Sequence, residues 1–317
     1  MALLEVTGLS VEYPTATGTV HAVDRVSVDL DAGEIVGVVG ESGSGKTSLV
    51  LAMLRLLPAP GHVVSGTVMH AGTDLRLLTP VAMRRLRGKE LAYIPQAAMN
   101  SLNPVRSVGW QIGESLSLHT DLEGSGARRR VAEVLELVDL SPSVADRYPH
   151  ELSGGMRQRA VIAMALAPRP HLVLADEPTS GLDVLVRAQI LALLRLLVAE
   201  LKLALLLVSH DLRLVSRWCD RAVVMYAGRQ VEEGPASALL GGSLHPYAVA
   251  LARSLPDLHG GTAPPVSISG DVPDLIELPT GCPFHPRCPH ALPACSTTEP
   301  ALLAVGERRV ACHLHEH

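Results

Sequence analysis

"GESGSGKTS", residues 40–48, fits the pattern G-x-x-x-x-G-K-[ST], and its flanks give that pattern physical content. Just before it, "EIVGVVG" is apolar on both faces, as a buried parallel strand must be. Just after it, "KTSLVLAMLRLL" carries helical periodicity, which predicts a helix running up to Pro58. A strand that passes into a helix through glycines can turn its backbone N–H groups inward around an anion, and the helix N-terminus adds a positive field. Gly40, Gly43 and Gly45 supply the bare backbone, with Ser42, Ser44 and Ser48 completing the expected contact set. Lys46 is placed to reach the β and γ phosphates of a nucleotide such as ATP, and Thr47 to hold Mg²⁺.

A second signal lies 130 residues on. "HLVLADEP" (171–178) is an apolar strand ending in two adjacent carboxylates. Phosphoryl transfer needs positioning more than covalent chemistry, so Asp176 suits water-mediated Mg²⁺ binding and Glu177 suits polarising the attacking water. A third signal is "LSGGMRQR" (152–159), where Ser153, Gly154 and Gly155 offer a hydroxyl and bare backbone at a helix start. A second anion-binding helix end is superfluous in a chain with one phosphate loop. It makes sense if that end serves the nucleotide of a neighbouring subunit.

The composition frames these motifs. Of 317 residues 47% are hydrophobic, enough to bury a large core, and the formal charge of −5 argues against a dedicated nucleic-acid partner. The start "MALLEVTGLS" has no basic n-region, so no secretory signal is expected. The most membrane-like stretch, 190–210, carries Arg195, Glu200 and Lys202, each costing ~2.5–3.5 kcal/mol at a bilayer centre. It reads instead as a buried helix followed by a buried strand. A soluble, cytosolic protein is expected, in which disulfides are disfavoured. Alternating strands and helices predict an α/β fold with a mostly parallel sheet. Residues 97–150 read as a more helical insertion, 256–280 as a Pro- and Gly-rich linker, and 281–317 as a separate small module.

Together the motifs carry a resemblance. In order they are "GESGSGKTS", Gln96 in "YIPQ", "ELSGGMRQR", "LVLADEP", "SGLD" (180–183) and His210 in "LLLVSHD". Over residues 1–255 the chain resembles an ATP-binding cassette (ABC) transporter ATPase. This resemblance implies a RecA-like P-loop core with antiparallel β and α-helical subdomains, the helical one at about 97–160. It also implies two such domains head to tail, with two ATP molecules sandwiched between each P-loop and the opposing LSGG. By the same implication Tyr13 stacks on adenine, Gln96 joins Thr47 and Asp176 around Mg²⁺ and senses the γ-phosphate, and Glu177 activates water. His210 then contacts the γ-phosphate, and Asp183 crosses the dimer interface.

Narrower likenesses follow Gln96. "AAMNSLNPVRSVGWQIGE" (97–114), "RRLRGKELAYIPQ" before it and "HPYAVALARSLP" (245–256) resemble oligopeptide/dipeptide importer ATPases, although "AAMN" departs from the more usual acidic "DPM"-like sequence. The resemblance implies two membrane permease subunits, a related second ATPase, an extracytoplasmic binding protein that selects the cargo, and a place on the cytoplasmic face of the plasma membrane. Nickel, metal-chelate and glutathione importers share this pattern, so the cargo stays open. A soluble, non-transport ABC ATPase is the alternative of a different class.

"GCPFHPRCPHALPAC" (281–295) with Cys312 gives the spacing C-x₅-C-x₆-C-x₁₆-C. Four thiols can satisfy one Zn²⁺ or a [4Fe–4S] cluster, and a segment this short can hardly build its own core. Prolines 283, 286, 289 and 293 predict a stiff loop, and His285, His290, His313 and His315 offer imidazoles suited to zinc. Spacing leaves cluster, zinc and free thiols open. The tail resembles the C-terminal extension of the peptide-importer ATPases, which implies a [4Fe–4S] cluster on Cys282, Cys288, Cys295 and Cys312. Cys219, inside the cassette, reads as a small buried hydrophobe.

Overall fold

The protein is described by a computed structural model covering residues 2–254 and 267–316. In chain order the strands are β1 (Leu4–Pro14), β2 (Thr19–Leu30), β3 (Ile35–Val39), β4 (His62–His70), β5 (Thr73–Asp74) and β6 (Leu91–Ile94). They continue with β7 (Leu172–Asp176), β8 (Ala204–Ser209), β9 (Arg221–Tyr226), β10 (Arg229–Pro235), β11 (Leu302–Val305) and β12 (Arg308–Ala311). The helices are α1 (Lys46–Met53), α2 (Pro80–Leu86), α3 (Val108–His119), α4 (Gly124–Leu137) and α5 (Gly154–Leu166). After them come α6 (Val184–Leu201), α7 (Leu212–Trp218), α8 (Ala236–Gly242) and α9 (Pro246–Arg253).

The chain divides into two compact units, one of residues 31–34 and 77–207, the other of residues 2–30, 35–76 and 208–317. In the first unit β6 and β7 run parallel, Leu91 opposite Leu172 and Ile94 opposite Ala175, with β8 on the other side of β7. All five residues of β7 are buried, as expected of a strand covered on both faces. The helical stretch holds α3, α4 and α5. Arg130 of α4, 9% exposed, donates from Nε to the carbonyl of Ala167 (2.9 Å) and from Nη2 to that of Leu166 (3.1 Å). It thereby satisfies carbonyls that the end of α5 leaves without helical partners. Replacing Arg130 with Met keeps the apolar stem but strands the Ala167 carbonyl and leaves that of Leu166 with the Arg169 N–H alone (3.0 Å). Urea denaturation should show a loss of about 2–3 kcal/mol.

In the second unit, β1, β2, β4 and β5 form an antiparallel sheet in the order β2-β1-β4-β5. A second sheet runs β11-β12-β10-β9-β3, with β3 and β9 parallel (Val36 opposite Arg221, Val39 opposite Val224). Helix α7 lies so close on β3 that a Cβ on Gly37 would sit 2.4 Å from Val215 Cγ1 and 3.1 Å from Cys219 Sγ. Cys219 is accordingly buried. The helix predicted to reach Pro58 stops at Met53. Arg55 takes a left-handed φ of 52°, and the Leu56 N–H reaches back to the Leu51 carbonyl (2.8 Å), a Schellman-type end that apolar periodicity does not reveal.

The proline-bearing stretch 281–296 is a loop with two short turns, as its prolines predict, but the tail beyond it has strands. Residues 302–311 fold as the hairpin β11–β12, and β12 pairs antiparallel with β10 (Glu232 opposite Val310, Glu233 opposite Arg309). The tail therefore extends the sheet of the second unit. Arg309 Nε donates to Glu233 (2.9 Å), a carboxylate that also receives Arg221 (2.8 Å) and Gln230 (2.8 Å). Phe284, the one phenylalanine in the sequence, is 1% exposed against Tyr226 and Tyr247, with ring centroids 5.2 and 5.4 Å away. Burying such a ring contributes about 2–3 kcal/mol. Of the expected linker 256–280, residues 256–266 lie outside the described residues. Residues 267–280 have no regular structure but are tied down, the Leu275 carbonyl accepting from His21 N–H (3.1 Å) and Thr280 Oγ1 donating to Ser296 O (2.7 Å).

Candidate functional site

In the second unit the loop 40–48 joins β3 to α1, as its flanks predicted. Two glycines are required by sterics. A Cβ on Gly40 would stand 2.2 Å from Met225 O, and one on Gly45, at φ 96°, would stand 2.0 Å from Ala22 O. Lys46 is 6% exposed and folds back over its own loop. Its Nζ donates to the carbonyls of Gly40 and Glu41 (both 2.8 Å) and to Ser44 Oγ (3.3 Å). These are exchangeable partners for an ammonium that must reach phosphate oxygens. Ser42, Gly43 and Thr47 are exposed at the mouth of the loop, while Ser44 is buried. Tyr13, from β1, places its hydroxyl 3.4 Å from Ser48 Oγ, and its ring packs on Gly61, where a Cβ would approach Cε1 to 2.3 Å. One edge of Tyr13 is thus engaged in packing beside α1. His210 is exposed where β8 ends, just ahead of α7.

The first unit holds the carboxylates. Asp176 is fully buried at the end of β7, and burial together with its charge pushes the Tyr93 phenol up to about 12. Glu177 follows at φ 45°, a left-handed conformation costly for a residue with a Cβ. Its carboxylate accepts from Ser180 Oγ (2.7 Å) and lies 3.4 Å from Gln96 Nε2. Sequence reasoning missed Ser180, although "SGLD" was already in view. Ser153 caps α5 by accepting from the Met156 N–H (3.3 Å), leaving Ser153 and Gly154 exposed at that helix start. Asp183 caps α6 in the same way (Val186 N–H, 2.9 Å), and the next residues, Val184 and Leu185, are 64% and 69% exposed.

Residues 101–110 present a braced apolar surface. The buried Gln111 side chain accepts from the Asn103 N–H (2.8 Å) and donates to the carbonyls of Asn103 (3.2 Å) and Arg106 (3.0 Å). Held by these bonds, the loop exposes Val105 (73%) and Trp110 (44%), with the Arg106 guanidinium 4.4 Å from the Trp110 ring centre.

The four tail cysteines converge. Cys282, Cys288, Cys295 and Cys312 line one small cavity with His245, Phe284, His285, His290 and His313. The Cys295 sulfur accepts the Leu292 N–H (3.4 Å). Such a bond favours a thiolate, while burial pushes the Cys282 thiol up to about 11 and raises Cys288 and Cys312 as well. A cationic centre would reverse that balance. His245, 1% exposed, accepts the Tyr247 N–H at Nδ1 (3.0 Å), which leaves the proton on Nε2. That buried Nε2–H has no protein acceptor and belongs to a residue lining the cysteine cavity. Among the described residues, no group of three or more His, Cys, Asp or Glu side chains stands at distances that would hold a metal ion. Four converging thiols, the N–H···S bond to Cys295 and the orphaned Nε2–H nonetheless fit a thiolate-held centre. His245, in "HPY", was missed by sequence reasoning because an isolated histidine there looks like packing.

Comparison with known proteins places these features. Residues 23–180 match the ABC transporter family, and residues 231–295 match the oligopeptide/dipeptide transporter C-terminal region. The chain is 45% identical over 315 residues to the dipeptide transport ATP-binding protein DppD of Haemophilus influenzae, covering 99% of this chain and 96% of that protein. It is 44% identical over 317 residues to DppD of Escherichia coli K12 (99% and 97% covered). With the oligopeptide transport ATP-binding protein OppD of the same organism it shares 43% over 302 residues (94% and 89%). Among solved structures, a dimeric ATP-binding cassette in a post-hydrolysis state with ADP and Pi superposes with a TM-score of 0.66 at 25% identity, covering 74% of this chain and 98% of that one. The cbiO1 protein of Clostridium perfringens, part of an ABC transporter complex, gives 0.65 at 25% identity, covering 76% and 91%.

Proposed function

Because this chain belongs to the ATP-binding subunits of ABC transporters, in their oligopeptide/dipeptide branch, we propose that it hydrolyses ATP to energise peptide import through membrane permease subunits. The observation that carries the reading is likeness over the whole chain, the C-terminal region included, to proteins that transport dipeptides and oligopeptides. Lys46 binds the β and γ phosphates, and Thr47, Gln96 and Asp176 hold Mg²⁺. Glu177 orients and polarises the attacking water, His210 contacts the γ-phosphate, and Tyr13 supports adenine. Ser153, Gly154 and Gly155 face the nucleotide of a second, related ATPase. The bare apolar pair Val184–Leu185 beside Asp183 supports that pairing. No helix among the described residues is long and apolar enough to cross a membrane. The family likeness supports attachment to the cytoplasmic face through the permeases.

Val105 and Trp110 form the surface that receives the permease. Replacing Val105 with Asp puts a charge in that contact and should weaken permease association about tenfold or more. Co-purification from detergent-solubilised membranes reads this, with MgATP affinity unchanged. The whole reading is tested by reconstituting the chain with its co-purifying multi-span subunits and following ATP-dependent uptake of labelled di- and oligopeptides. Recovery with ribosomes or DNA in place of permeases would overturn it. We propose further that Cys282, Cys288, Cys295 and Cys312 would hold an inorganic centre, for which the resemblance implies [4Fe–4S], with Zn²⁺ the alternative. These four residues would then cross-link residues 281–296 to 312–316.

A further inference from the structure

Glu41, the second residue of the phosphate loop, is gripped at every polar group it has. Its N–H donates to Tyr247 Oη of α9 (2.8 Å), and its carbonyl accepts Lys46 Nζ (2.8 Å). Its carboxylate accepts a two-pronged bond from Arg287, Nη1 to Oε2 at 2.9 Å and Nη2 to Oε1 at 3.2 Å. The lysine contact belongs to any loop of this pattern. The other two come from the 208–317 part of the unit, and Arg287 immediately precedes Cys288.

The guanidinium is itself fixed. Its side chain is 5% exposed, and it donates further to Ser269 O (2.9 Å), Tyr226 Oη (3.3 Å) and Ile268 O (3.4 Å), beside the rings of Tyr226 and Phe284. A planar, always charged fork held this way sets both the position and the net charge of its carboxylate partner. Charge is what matters at this place. A loop that must receive a polyphosphate carries a carboxylate, which repels that ligand unless a cation offsets it.

We propose that Arg287 is a positioning residue for nucleotide binding: it neutralises Glu41 and holds the phosphate loop in its receptive form, so that the cysteine-bearing tail sets nucleotide affinity. This rests on residues 40–48 being the nucleotide-phosphate loop, and MgADP binding to the wild-type chain checks that reading separately.

The test is calorimetric titration of the full chain with MgADP, comparing wild type, Arg287→Met, Glu41→Gln and the double variant. Arg287→Met leaves the carboxylate uncompensated and should weaken binding about tenfold. Glu41→Gln removes the repelling charge and should bind within about twofold of wild type. The double variant should recover most of the affinity that Arg287→Met loses, an effect that general loss of structure would not produce. If Arg287→Met does not fold, Arg287→Gln, which can still donate to Ser269 O, serves in its place. Wild-type affinity in the Arg287 variant, or an equally weak double variant, would overturn the proposal.

Discussion

Glu177→Gln is expected to bind MgATP with near wild-type affinity and to lose turnover by about 100- to 10,000-fold, the range that general-base assistance supplies. The substitution is isosteric, so the left-handed backbone at φ 45° and the cap-like bond from Ser180 Oγ (2.7 Å) can both persist. What disappears is the negative charge proposed to align and polarise water. Asp176, fully buried one residue earlier, keeps its place at the end of β7, so its proposed role at Mg²⁺ is left intact. That separation of binding from chemistry is why the effect falls on kcat. Calorimetry on the chain and steady-state phosphate release by the assembled transporter measure the two halves. Retained turnover would remove Glu177 from its role, and lost binding would mean that the substitution disturbs the loop and not the chemistry.

The core of this protein was legible because its signals are local. "IVGVV" is apolar at every position and "LVLAD" at all but its last, which only strands covered on both faces tolerate, and both are wholly buried. The loop between β3 and α1 could be read for the same reason, since its glycines, Lys46 and Thr47 are written in consecutive positions, although the oxygens that exclude a Cβ at Gly40 and Gly45 belong to Met225 and Ala22. Features set by tertiary contact were not legible. The end of α1 depends on Arg55 entering a left-handed conformation, for which periodicity has no sign. The hairpin β11–β12 had a signal, alternation around Gly306 in "LLAVGERRVA", but the cysteines and prolines before it drew the reading towards an isolated module. Ser180, His245 and Arg287 are ordinary polar residues in sequence. Their partners Glu177, the cysteine cavity and Glu41 lie 3 to 246 positions away, so only the fold discloses them.

Chain purified without oxygen is expected to carry about four iron and four sulfide per molecule, the content of one cluster on four thiolates. The expectation follows from chemistry inside the cavity. Thiols that burial pushes upward, Cys282 to about 11, stay protonated by themselves, while Cys295 accepts the Leu292 N–H (3.4 Å). A cationic centre held by the four sulfurs would expel those protons and turn the convergence of the thiols into ligation. Cys288→Ser removes one of the four donors and should abolish iron and sulfide retention. It should leave β12 paired with β10, since the ladder uses Glu232 and Glu233 and no cysteine. His245→Phe keeps an aromatic body but deletes the Nε2–H, and metal retention under chelator challenge should fall about 10- to 100-fold, as for other outer-shell donors. Zinc at about one per chain without iron would replace the cluster with Zn²⁺. Neither metal in the anaerobic preparation, with four thiols titrating freely, would show that the cavity holds packed cysteines and nothing more.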